Sequence, residues 1–392
     1  MNQPMPLQET KRLPWIDSAR GFAILGIFMV NLPSFHGPYF LYGNGQNYWG
    51  LGEPGLVHIL IDIFFQASFY SLFSFLFGFG MYIIYENLKH RQVEVPYKWL
   101  VRRQIILLVI GVLHAFLIWH GDILITYALI GLLLLLFLKR KDITLWIWGA
   151  CLLLIPTMLM TGLLFLASQL EDLGSIANTA GIEQSYQHYG AGNIADILQQ
   201  NLTDWLYSNN LFQFIFITCN ILPIFLLGVL FARKKWLHDI QQHKKILHIW
   251  WGVSLGLFVI FKAGPYLAGN PIWLQLLQDT IGGISSAVFY LLTITLLYNK
   301  AVKFFQYIGC VGKMALSNYI YQSIISFIIF YSVGFSLYGK LTPLQTVLIG
   351  LGVYLIQTIV SYWWLKHYQR GPIEWLWRSL LYKKKLANKR TG

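Results

Sequence analysis

Long apolar stretches alternate along the chain with short polar ones, and most of the apolar stretches are of similar length. A helix crossing the hydrocarbon core needs about 20 mostly apolar residues. Windows of that size fall at 15–33, 58–85, 100–119, 121–138, 143–168, 211–232, 246–267, 280–298, 314–337 and 344–365. This pattern predicts an all-α, polytopic membrane protein of about ten transmembrane helices, forming a single domain over residues 1–392. The first window follows a polar stretch, MNQPMPLQETKR, and no small-residue cleavage site follows it, so it is read as a retained helix rather than a signal peptide. The exception to the pattern is an outer segment at about 169–210. It carries Glu171, Asp172, Glu183, Asp196 and Asp204 and no Lys or Arg. Within it Ile194, Ile197, Leu198, Leu202, Trp205 and Leu206 recur at helical spacing, which suits a helix lying at the membrane interface. A lid over a site and a surface strap both fit that segment.

The polar turns fix the orientation. Cytoplasmic loops are enriched in Lys and Arg. With the amino terminus inside, all of the 29 Lys and Arg residues except Lys262 and Lys340 fall on the cytoplasmic side, and both termini are cytoplasmic. Charged residues make up 11% of the 392, against roughly 25% in soluble domains, so lipid rather than water is the solvent this composition suits. The net charge of +13 is then accounted for by topology and anionic lipid, and a nucleic-acid partner is not needed. A multi-pass protein of the cell (plasma) membrane is expected. Cys151, Cys219 and Cys310 lie outside the predicted outer loops and form no CxxC spacing, which indicates neither a disulfide nor a metal site. The chain also lacks a nucleotide-binding glycine loop, and no tightly bound cofactor is expected.

Ionisable residues within spans are costly and mark function. Depth along the helices sorts them into two layers. The outer layer holds Asn31, His36, Asp62, His114 and Asp122. His114 lies about one and a half turns before the outer end of the third helix, and Asp122 opens the fourth after a short turn at His120-Gly121. A histidine oriented by a carboxylate is a general-base arrangement. The same residues also fit a plainer reading, a helix-start carboxylate and an interhelical polar contact. His36, His58 and His120 lie nearer water and fit ordinary interfacial positions. The inner layer is basic. Asp17 and Arg20 share a face of the first helix as a structural ion pair, and Arg102, Arg103, Lys313 and Arg378 gather at the same level, with Arg370 and Glu374 nearby. These residues either anchor the inner face or bind an anionic donor, since guanidinium groups suit phosphate. Gly78 and Gly80 either allow close helix approach or line a narrow channel.

Several motifs together are specific. They are Ile16-Asp17-Ser18-Ala19-Arg20-Gly21-Phe22 with Val30-Asn31, the run from Phe75 to Gly80, and Arg102-Arg103 with Gly111-Val112-Leu113-His114 and Gly121-Asp122-Ile123-Leu124. Later come Gly312-Lys313-Met314-Ala315-Leu316-Ser317-Asn318-Tyr319 and Gly371-Pro372-Ile373-Glu374-Trp375-Leu376-Trp377-Arg378. Over nearly its whole length the chain resembles the YeiB family of bacterial membrane proteins. That family is distantly similar to transmembrane acyltransferases, namely the acyltransferase-3 group and heparan glucosaminide N-acetyltransferase. The shared opening is D-x-x-R-G followed by a polar residue, here Asp17, Arg20, Gly21 and Asn31. The acyltransferase-3 group has His at the last of these positions. The glucosaminide enzyme has Asn there and a catalytic His several residues later, to which His36 is the nearest counterpart at shorter spacing.

The resemblance implies transfer of an acyl group from cytoplasmic acyl-CoA, bound by Arg20, Arg102, Arg103, Lys313 and Arg378, to a small-molecule or glycan acceptor outside. His114 or His36 would act as base, with Asp122 orienting and Asn31 assisting. The alternative is a transporter or exporter of a small metabolite or lipid.

Overall fold

The computed structural model describes residues 13–38, 41–42, 55–170 and 178–390. Among them every regular element is helical, apart from one isolated bridge between Tyr368 and Lys389. Lys11, Arg12, Glu171 and Asp172 lie outside the described residues.

Helix α1 (Pro14–His36) opens on proline, whose missing N–H is no loss in a first turn, and runs outward. The second window divides into α2 (Gly55–Phe64) and α3 (Ser68–His90), separated at 65–67, where Ala67 takes φ 58°. Helix α4 (Pro96–Leu117) returns outward, α5 (Leu124–Leu134) inward and α6 (Asp142–Leu170) outward. Two helices then lie on the outer face, α7 (Thr179–Ala191) and α8 (Ile194–Ser208), each started by an asparagine whose side chain accepts backbone N–H groups. Helix α9 (Leu211–Arg233) runs inward. The next two spans each contain a π-helical turn. One is α10 (Lys244–Phe258), the turn Val259–Ala263 and α11 (Gly264–Leu267). The other is α12 (Ile272–Leu277), the turn Gln278–Gly282 and α13 (Gly283–Leu297). Helix α14 (Val302–Lys313) lies across the inner part of α1, and α15 (Ala315–Phe330) then crosses outward. Helix α16 (Pro343–His367) returns inward, and α17 (Pro372–Tyr382) packs at the inner face.

Among the described residues eight of the spans are long and apolar enough to cross a membrane, and the shorter apolar helices α5 and α15 fall in the other two predicted windows. The protein is therefore an all-α, polytopic membrane protein, with the Lys- and Arg-rich end on the cytoplasmic side. Two windows and one stretch between windows differ from the prediction. The segment 58–85 is two helices rather than one. The window 314–337 overruns α15. Beyond Phe330 the chain folds back on it, with Phe335 N–H bonded to Ile328 O and Tyr338 N–H to Phe330 O, each at 2.8 Å. The stretch 300–313, predicted as a loop, is largely the amphipathic helix α14.

Close backbone approach explains why α1 is central. A Cβ at Gly312 would lie 1.8 Å from the Asp17 carbonyl oxygen, so only glycine lets α14 rest directly on α1. Ser18 Oγ reinforces the contact by donating to Phe305 O at 2.7 Å. Gly78 does the same between α3 and α9, where its Cβ would meet Phe225 O at 2.1 Å. Gly78 is thus a packing glycine, while Gly80 opens toward Arg20. In contrast, α6 is peripheral, with only Leu145, Thr157 and Thr161 buried along its length.

Candidate active site

Helix α4 delivers His114 and the short turn at 118–123 delivers Asp122. The two side chains meet, His114 Nδ1 lying 2.8 Å from Asp122 Oδ1. Asp122 Oδ2 accepts the Ile125 N–H at 2.8 Å, which fixes the carboxylate at the start of α5. The helix-start reading and the paired reading of Asp122 therefore hold together. Helix α15 adds a third group, Ser323, whose Oγ is 2.8 Å from His114 Nε2. All three residues are buried. In the neutral imidazole, a carboxylate on Nδ1 favours the tautomer with the proton there, which leaves Nε2 to accept from the serine hydroxyl. Ser323 is 209 positions from His114 and escaped sequence reading. Its only signal is that it follows Tyr319 by one helical turn on the same face of α15.

The inner layer surrounds a cavity of about 480 Å³. Arg20, Arg103, Lys313 and Arg378 line its basic end, and Ile24, Leu76, Phe77 and Leu107 its apolar body. It ends at Ile123, Tyr127 and Tyr319, with the Tyr319 ring 5.0 Å from that of His114. Arg20 is paired with Asp17 at 3.1 Å. The Arg103 guanidinium sits 4.1 Å over the Trp377 ring, held between α4 and α17. Arg102 departs from the expected set, because it turns to α17 and donates to Leu380 O rather than lining the cavity. Glu374, from α17, accepts the Leu316 and Ser317 N–H groups at 2.7 and 3.0 Å and so caps the buried start of α15. Burial pushes the Glu374 carboxyl above the usual carboxylate range, against the pull of these hydrogen bonds.

Asn31 and His36 lie apart from that cavity. His36 is fully buried, not interfacial, with its ring edge-on to Phe330. Its Nε2 accepts the Leu341 N–H at 3.0 Å and its carbonyl accepts from Gly339 at 2.7 Å, so it anchors the fold-back after α15. Asn31 is half-buried, five residues earlier on α1.

His120 is also buried, in a network beneath α8. Tyr189 and Gln200 donate to the two oxygens of Asp204 at 2.8 and 2.7 Å, Tyr42 also donates to Asp204, and His120 Nδ1 is 3.2 Å from Tyr189 Oη. Burial pushes the His120 imidazole below its usual range, opposed by the nearby Asp204 charge. Asn201 Nδ2 donates to Ile118 O at 3.3 Å, so this asparagine side chain is inside the protein. Helix α8 thus turns its polar face inward and leaves Ile194, Leu202 and Leu206 exposed.

A further buried cluster was missed in sequence. Lys262, 0% exposed, donates to Asp62 O at 3.0 Å and Asp279 Oδ1 at 3.1 Å. Asp62 Oδ2 accepts from Tyr266 and Gln278 at 2.6 and 2.7 Å. The cluster sits where both π-helical turns meet the end of α2.

A family profile described as a protein of unknown function, DUF418, matches residues 231–384. The chain is 36% identical over 402 residues to the uncharacterized protein YxaH of Bacillus subtilis (strain 168), covering 97% of each. It is 28% identical to an uncharacterized 39.9 kDa protein from the amylase 3′ region of Bacillus acidopullulyticus, over 97% of this chain and 96% of that one. It is 26% identical to the uncharacterized protein YeiB of Escherichia coli (strain K12), over 93% of this chain and 95% of that one. On this near full-length similarity, the chain belongs to the YeiB family of membrane proteins, the family of DUF418.

Proposed function

We propose that this protein is a transmembrane acyltransferase of the plasma membrane, moving an acyl group from cytoplasmic acyl-CoA to an extracytoplasmic hydroxyl or amine. One observation carries the reading: the cavity lined by Arg20, Arg103, Lys313 and Arg378 is also lined by Ile123, Leu124 and Tyr319, the neighbours of the His114–Asp122 pair. Arg20, Arg103, Lys313 and Arg378 offer guanidinium and ammonium groups to the donor's phosphates. The apolar body takes the pantetheine arm and the acyl chain. His114, held by Asp122, removes a proton at the outer end of the path. Acyl-CoA is here a donor substrate rather than a resident cofactor, and the acceptor is a small molecule or a glycan. The test is equilibrium binding of labelled acetyl-CoA to purified protein in detergent, followed by release of the CoA thiol. Saturable binding with thiol release is the expected result, and absence of both overturns the reading.

A second reading, transport, draws on the Lys262 cluster. Broken helices around a polar site are a transporter device, and this cluster sits where three spans depart from α-helix. Substrate accumulation in sealed vesicles that Lys262→Ala abolishes would favour it.

A further inference from the structure

Ser323 has the geometry of an activated nucleophile rather than of a packing serine. A serine in a membrane helix ordinarily bonds back to the carbonyl one turn earlier. Here that distance, to Tyr319 O, is 3.4 Å, whereas His114 Nε2 is 2.8 Å away. The hydroxyl proton therefore points to the imidazole. The imidazole is in turn oriented by Asp122, and Asp122 by the Ile125 N–H. Nucleophile, base and orienter are each within hydrogen-bond reach, which is the arrangement that activates a serine. Beside it Tyr319 is buried and lines the cavity, and its hydroxyl donates to no side chain. A hydroxyl one turn from the nucleophile is placed to stabilise an oxyanion. Ser323 also lies roughly 12 Å into α15, at 1.5 Å per residue from Ala315, near the middle of the span.

We propose that Ser323 carries the acyl group between the two faces of the membrane as a serine ester. The inference rests on the acyltransferase reading and deepens it. In the first step Ser323 Oγ attacks the thioester carbonyl and its proton passes to His114 Nε2. The carbon–sulfur bond breaks, and CoA leaves as the thiol, taking that proton. In the second step the acceptor hydroxyl or amine attacks the ester carbonyl and its proton passes to His114. The carbon–oxygen bond to Ser323 breaks, and the serine recovers the proton. Donor and acceptor use one carbon centre in turn, from opposite sides, so no continuous pore is required.

Two probes test the relay. Purified protein is first given carbon-14 acetyl-CoA without acceptor, denatured and digested. The expected result is close to one acetyl group per chain on the peptide bearing Ser323, labile to hydroxylamine, with a matching burst of CoA thiol. Ser323→Ala should bind acetyl-CoA yet lose label and burst, while Ser323→Cys, of similar size, should acquire a thioester. The second probe, a fluorophosphonate, reads serine activation independently of the donor. It should label Ser323 in the wild type and not in His114→Ala. Wild-type turnover by Ser323→Ala, with no covalent label on the native chain, overturns the relay and leaves direct transfer by His114 standing. Labelling by fluorophosphonate without acetyl-CoA binding or thiol release overturns the acyltransferase reading, and the relay with it. Failure of both probes on folded protein overturns the activated serine itself.

Discussion

Two of the charged clusters among the described residues invite comparison, the buried His114–Asp122–Ser323 chain and the Asp62–Lys262–Asp279 group around the buried Lys262, and they differ in what surrounds them. The Lys262 cluster leaves none of its buried polar atoms without a partner, and none of its residues lines the basic cavity. It is held by departures from helix, because the π-helical turns and the break at 65–67 bring its groups to one level. The His114 chain sits on regular helical backbone and a short turn, and its neighbours Ile123, Leu124 and Tyr319 line the basic cavity. A saturated cluster in low dielectric resists change, since losing any partner exposes an uncompensated charge. A chain whose immediate neighbours, Ile123, Leu124 and Tyr319, line a cavity is placed next to a bound substrate. This difference sets the transferase reading ahead of transport.

The largest expected effect separates the clusters through turnover. His114→Ala should lower acyl transfer by roughly 10²- to 10⁴-fold, as loss of a general base does, while acetyl-CoA affinity stays near wild type. If His114→Ala retains full transfer and His36→Ala loses it, the base belongs to the outer end of α1 and the comparison is drawn around the wrong histidine.

Next comes stability. Lys262→Met should destabilise the protein by about 3 kcal/mol, the lower end of the range for breaking a buried pair, because the Asp279 side chain keeps 37% exposure. Thermal unfolding in detergent reads it. An unchanged melting temperature would mean that the cluster is hydrated and open, which revives the transport reading.

A smaller effect belongs to the cavity's basic end. Arg103→Met should weaken acetyl-CoA binding about tenfold, the loss of one charge-assisted contact of roughly 1.5 kcal/mol, measured by equilibrium dialysis. Arg102→Met, whose side chain turns to Leu380 O, should change it little. Equal losses would place both arginines on the donor.

The smallest effect is expected for Asp17→Asn. A fully buried pair would lose roughly 3–5 kcal/mol, but Arg20 is 29% exposed where it faces the cavity. Solvent screening brings the expected cost to about 1 kcal/mol. A drop in melting temperature as large as that of Lys262→Met would show that the pair is as dry as the Lys262 cluster.

Much of the architecture was legible in the sequence because membrane insertion is read locally. Span length and the side taken by Lys and Arg depend on neighbouring residues alone, so the all-α polytopic plan followed, with eight long spans and two shorter apolar helices among the described residues. The His114–Asp122 meeting was legible for a related reason, since eight residues of a tight hairpin leave little freedom between them. Asp17 and Arg20, one turn apart on one helix, were legible in the same way. What the tertiary structure decided lies between distant segments. Ser323 reaches His114 across 209 positions, and Glu374 caps a helix that starts 59 positions before it. The inward polar face of α8 depends on partners as remote as Ile118 and Tyr42. Lys262 was assigned to the outside by charge counting, but the π-helical turns bury it inside the bundle. In lipid, helices associate through backbone closeness and hydrogen bonds rather than through a hydrophobic stripe. Local sequence therefore announces that a helix forms and which way it runs, while the fit of Gly312 on Asp17 and of Gly78 on Phe225 decides which side chains it meets.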